Sequence, residues 1–172
     1  MREELKENIK QTMQKWVPFL LSVLFILVNY IPSSVSLSSI IRPAMGMICV
    51  FYWVLHRPDL FNMFAVFFLG CISDFISSAP LGADIIASLI IYVFVSNLFS
   101  FFNNKPFIVI WYGFMFIFIV AELVKWFLLS IYYAEFLPFG SLFFTILFTI
   151  ACYPVISLIN DAARKFLMND EG

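Results

Sequence analysis

Three charged side chains fall inside or against runs of sequence otherwise too apolar to face water: Asp74, Glu122 and Lys125. A charge at the centre of a bilayer costs about 2.5–3.5 kcal/mol on insertion scales, so each needs a partner or a task. Glu122 and Lys125 stand three residues apart, close enough on one helix to pair. Such a pair could serve an ion pathway or a polar contact with another transmembrane helix. The plainer reading, and the favoured one, is a self-neutralised pair facing the bundle interior. Asp74 has no opposite charge at helical spacing. It could pair with Arg42, cap a neighbouring helix or reach headgroups, and a proton or substrate role is the sharper alternative.

Other chemistry finds little footing. His56, beside Arg57, is the one histidine, with no evident set of metal ligands around it; a headgroup contact or a bond to the last carbonyls of its own helix is expected. No G-x-S-x-G elbow, H-E-x-x-H pair or phosphate-binding loop is present. Asp74 and Asp84 lack the glycine-rich partner motif of an aspartyl intramembrane protease, and Asp84 suits the first turn of a helix, where the dipole favours a carboxylate. Cys49, Cys71 and Cys152 lie apart in apolar runs, as small buried hydrophobes do. The expectation is a protein that is not an enzyme, with no cofactor and no metal.

The elements that must position these groups are read from composition. Of 172 residues, 63% are hydrophobic and only 12% charged, against roughly 25% charged in soluble domains. The excess is spread over several runs of spanning length, which points to an all-α polytopic membrane protein. A net charge of −1 with no basic block excludes a nucleic-acid partner. The 23 phenylalanines read as packing and lipid contact rather than an aromatic ligand pocket, and Trp53, Trp111 and Trp126 form no cage pattern.

Residues 1–16 are expected to form a cytoplasmic or interfacial helix, with Leu5, Ile9, Met13 and Trp16 on one face. Residues 17–160 are expected to hold six transmembrane helices, and 161–172 a cytoplasmic tail. The spans read as Val17–Ile31, Ile40–Leu55, Leu60–Ser77, Ala83–Phe102, Phe107–Tyr133 and Ser141–Ile159. A serine-rich outer loop covers Ile31–Ser39. Pro58, which fixes φ and lacks an N–H, suits the first turn of the third span, with Asp59 able to cap it. That span should stop at Ser77–Gly82, where serine, proline and glycine favour a turn. With both termini inside, eight of the ten basic residues are cytoplasmic and Arg42 alone lies in an outer loop, which fits the positive-inside rule.

Tyr52-Trp53, His56-Arg57-Pro58, Gly70, Asp74 and Ser78-x-Pro80-Leu81-Gly82 follow one another in an order and spacing that resemble the rod shape-determining MreD family. The resemblance is to an aromatic-rich helix, an [HR]-R-P turn, L-G-x-x-x-D and P-L-G. It covers about thirty residues; the phenylalanine-rich remainder, where leucine is commoner in the family, agrees in length and hydropathy. It implies a six-helix fold similar to the substrate-binding subunits of energy-coupling-factor transporters. It also implies a bacterial inner-membrane component of the cell-elongation and lateral peptidoglycan-synthesis machinery. The partners implied are an MreC-like bitopic protein, with MreB and the RodA–penicillin-binding-protein synthase beyond it.

The leading expectation is therefore a non-enzymatic scaffold that binds partner transmembrane helices in the lipid bilayer, with self-association as a homodimer also allowed. The alternative is a substrate-binding subunit of a small-molecule, vitamin-type importer. The candidate structural or interaction residues are Trp53, His56, Arg57, Pro58, Gly70, Asp74, Pro80, Gly82, Glu122 and Lys125. Asp74 is expected to fix the outer end of the third span, with Arg42 the named partner. Gly70, with Ala44, Gly46 and Ala65, is expected on a surface that meets other helices, internal packing being the competing reading.

Overall fold

The computed structural model describes residues 2–30, 42–77 and 80–169, with side-chain positions for 16–30, 42–77 and 80–166. The described residues form six helices: α1 (Arg2–Tyr30), α2 (Met45–His56), α3 (Met63–Ser77), α4 (Ala83–Phe102), α5 (Phe107–Tyr133) and α6 (Phe139–Asn169). The loop expected at Ile31–Ser39, Ser78–Ala79 of the expected turn and the side chains of Leu5, Ile9 and Met13 lie outside this description. Three helices are long and apolar enough to cross a membrane: α4, α5 and residues Phe139–Phe166 of α6. The Trp16–Tyr30 part of α1, with α2 and α3, is apolar but shorter.

α2 is the centre. Met47 through Leu55 are all buried, so the helix is covered on every side, as one that is apolar all round must be. It packs against α1, α4 and α6, while α3 packs on α4 and α4 on α5. Phe51 of α2, Phe114 of α5 and Tyr153 of α6 meet there, with ring centroids 4.4–5.9 Å apart. Other rings turn outward, among them Phe64, Phe116, Phe127 and Phe143. Phenylalanine thus serves both packing and the apolar exterior.

α4 and α5 match the expected spans, and the other limits move. The N-terminal helix and first span are one continuous helix through Pro18, whose carbonyl accepts the Ser22 hydroxyl at 2.7 Å. The second span is shorter than expected, beginning at Met45 rather than at Ile40. Its preceding segment is tied on two sides: Asn29 Nδ2 donates to the Pro43 carbonyl at 2.8 Å, and the Ala44 N–H donates to Thr149 Oγ1 at 2.9 Å. α6 starts before Ser141 and runs ten residues past Ile159, because no breaker follows and Asp161 pairs with Arg164 and Lys165 one turn on. Inside it Pro154 cannot donate to Ile150, and the Trp111 indole N–H takes that carbonyl at 3.3 Å.

The turn between α2 and α3 also departs from expectation. Pro58 lies in the turn itself rather than in the first helical turn of α3. Asp59 does not cap α3 but pairs with Arg57 at 3.3 Å. The cap comes from Asn62, whose Oδ1 accepts the Ala65 N–H at 3.0 Å.

Candidate functional site

The polar groups converge where the end of α3, the start of α4 and the later turns of α5 meet. Gly70 makes the approach of α3 to α4 close: a Cβ there would lie 2.6 Å from Ile85 Cα. One turn further along α3, Asp74 reaches the start of α4. Between the two helices Pro80, Leu81 and Gly82 form a turn closed by the Ala83 N–H on the Pro80 carbonyl at 3.3 Å. Gly82 holds φ at 113°, a conformation glycine adopts without steric cost. The Gly82 N–H then donates to Asp74 Oδ2 at 2.8 Å, and the Asp84 N–H to Asp74 Oδ1 at 2.9 Å. Both oxygens of a 1%-exposed carboxylate are engaged by α4's first amides, at the positive end of that helix. Of the contacts open to Asp74, the cap of a neighbouring helix is the one formed. Arg42, the named partner, instead lies 5.1 Å over the Tyr30 ring.

Asp84 carries the cluster onward. Its Oδ2 accepts the Ser73 hydroxyl at 2.5 Å, and its Oδ1 faces Lys125 Nζ at 2.5 Å. Lys125 stands 3.8 Å from Glu122 Oε1, within ion-pair range but beyond a hydrogen bond. The expected Glu122–Lys125 pair is thus present but not self-contained: Asp84 of α4 makes the lysine's shorter contact. The sequence carried a signal for this. Asp84 lies eighteen residues before the end of α4, and Lys125 eighteen residues after the start of α5. A tight turn at Asn103–Pro106 makes the two helices antiparallel neighbours, which sets both residues at one depth. Treating Asp84 only as a first-turn residue missed the pairing, and Ser73 was not singled out at all.

A cavity of about 460 Å³ opens beside this cluster. Its wall includes Asp84, Ser88, Glu122 and Lys125, together with Asn29, Tyr30 and Arg42. Glu122 is 4% exposed, and its Oε1 has no hydrogen-bond donor.

The remaining expected residues lie elsewhere. Trp53 is fully buried in α2, with its indole N–H unpartnered, and meets the Tyr52 ring edge-on at 5.4 Å. His56 Nδ1 donates to the Tyr52 carbonyl at 2.8 Å, and its ring stacks on Tyr52 at 4.1 Å. The Tyr52 hydroxyl donates to Asp161 at 3.0 Å, so the turn that holds Arg57 and Pro58 is joined to α6. Gly70 and Gly46 face their own chain, against Ile85 and Ile26. The expectation that Gly70 lies on a partner-binding surface is therefore corrected, since the backbone of α4 fills the space. Among the described residues no group of three or more histidines, cysteines or carboxylates could hold a metal ion.

The comparisons with known proteins agree with the motif. The family model for the rod shape-determining protein MreD matches residues 10–161. An uncharacterized protein of Rickettsia prowazekii (strain Madrid E) is 30% identical over 169 residues, covering 96% of this chain and 95% of that protein. No solved structure matches the chain. Gly70, Asp74 and Gly82 of the motif are, physically, the α3–α4 joint: a glycine for close approach, an aspartate to cap, and a glycine to turn the amides toward it. The chain belongs to the MreD family of rod shape-determining proteins.

Proposed function

We propose that this protein is a non-enzymatic scaffold of the cell-elongation machinery in a bacterial inner membrane, holding the transmembrane helix of an MreC-like bitopic protein. In this reading it crosses the bilayer six times, with both termini cytoplasmic and eight of ten basic residues on that side. MreB and the RodA–penicillin-binding-protein synthase are reached through that partner. The observation that carries the reading is the family match over residues 10–161. The use of the polar side chains supports it: Asp74 caps α4, Asp84 and Lys125 join α4 to α5, and Tyr52 joins α2 to α6. Much of the buried polar chemistry is spent on holding helices together. The outward faces of α5 and α6 meanwhile carry large apolar side chains such as Phe116, Ile131, Phe143 and Leu158, as a surface for lipid or another helix requires.

Co-purification from native membranes is the test. An MreC-like protein should come down with the full chain in stoichiometric amount, and depletion of the chain should round the cells. A chain that comes down alone, from cells whose shape survives depletion, would sink the proposal. Reporter fusions after Lys105 and at the C-terminus should both read cytoplasmic.

A further inference from the structure

The cavity beside the α4–α5 ion pair has a wall with charges of both signs left over. Asp84 and Lys125 satisfy each other, and Ser73 completes Asp84. Glu122 is not completed: it is 96% buried, its Oε1 receives no hydrogen bond, and Lys125 is held away toward Asp84. Arg42, which also lines the cavity, rests on the Tyr30 ring and has no carboxylate partner among the described residues. A buried carboxylate without donors is costly, and a guanidinium fork is suited to phosphate or carboxylate. The volume of about 460 Å³ falls within the roughly 300–1,000 Å³ of small-molecule sites and is far too large for a bare ion.

We propose that this cavity binds a zwitterionic ligand, its primary ammonium on Glu122 and its phosphate or carboxylate on Arg42. A primary ammonium has three N–H groups to offer the Glu122 oxygen, whereas a trimethylammonium has none. Ser88, with its small side chain in the same wall, leaves room for the ligand. Two sources carry such a group: an aminophospholipid headgroup entering from the bilayer, or a free zwitterion from water.

Native mass spectrometry of the delipidated full chain separates them. The probes are phosphatidylethanolamine, phosphatidylcholine of the same acyl chains, and free O-phosphoethanolamine. Phosphatidylethanolamine should be retained at least tenfold more than phosphatidylcholine. Displacement of that lipid by O-phosphoethanolamine assigns the site to the free zwitterion, whereas no displacement assigns it to the lipid. Glu122→Gln should reduce the preference for the primary amine to near unity, and Arg42→Gln should weaken both lipids alike. Equal retention of the two lipids by the unaltered chain, with no O-phosphoethanolamine bound, overturns the proposal without any variant, so it stands tested even if Glu122→Gln does not fold. A folded Glu122→Gln that keeps the tenfold preference overturns it too.

Discussion

Two ion pairs stand at opposite ends of α3, and they differ in nearly everything but charge. Arg57 and Asp59 are neighbours in the chain, meet at 3.3 Å, and keep 24% and 60% of their side chains in solvent. Asp84 and Lys125 are far apart in the chain, meet at 2.5 Å, and keep 5% and 22%. Exposed pairs contribute about 0–1 kcal/mol, because water and salt screen them. Removing one member of a buried pair costs about 3–5 kcal/mol, because the other charge is left uncompensated. The conspicuous turn is therefore weakly bound by its charges, while the pair with no local signature holds two helices together.

The comparison breaks most readily at Lys125. Lys125→Met should destabilise the protein by about 3–5 kcal/mol in detergent unfolding, since Asp84 loses its bonded cation and Glu122 the positive charge 3.8 Å away. Adding Asp84→Asn to that variant should recover part of the loss; if the double variant is worse than the sum of the singles, charge is not what holds this end. Asp74→Ala comes next, at about 2–4 kcal/mol, by removing two charge-assisted hydrogen bonds and the anion at α4's positive end. Hydrogen exchange should speed up at Gly82 and Asp84 first, and protection unchanged at those two amides would refute the cap.

Gly70→Ala should cost about 1–3 kcal/mol, because the new methyl meets α4 backbone rather than a side chain that can move aside. Partner binding should fall in step with thermal stability. Loss of partner binding at full stability would restore the external surface for Gly70. The smallest effect belongs to the exposed pair: Asp59→Ala should change stability by less than about 0.5 kcal/mol. A loss as large as that of Lys125→Met would erase the contrast between the two ends.

What the sequence made legible follows from how local each signal is. α4 and α5 were readable to the residue because Gly82, Asn103 and Pro106 break the backbone at their ends. α2 and α6 were not. Pro43 and Thr149 decide where α2 begins, and the extension of α6 depends on Asp161 and the absence of a breaker, neither of which hydropathy measures. The site divided the same way. Asp74 and Gly82 stand out by residue type within a short turn, so a cap was among the expected contacts. Asp84–Lys125 required the depth of two antiparallel helices, and Asn62 as the cap of α3 was hidden behind the more obvious Asp59. The direction of Gly70 was open in one dimension, because a small residue in an apolar helix serves inner and outer contacts equally well.

The shortness of α2 bears on the order in which the protein can be made. Twelve residues extend about 18 Å, well under a hydrocarbon core of about 30 Å. Of the helices that enclose it, α4 and α6 emerge from the ribosome after it. During synthesis α2 therefore has α1 to lean on but no complete shell. Its stay in the membrane depends on α1 at first and on the C-terminal half later. Thr149, which ties the start of α2 to α6, arrives more than a hundred residues after Ala44. The innermost helix is thus among the last to reach its final environment, and a chain interrupted before α6 would present an incompletely covered core helix to the quality-control proteases of the membrane.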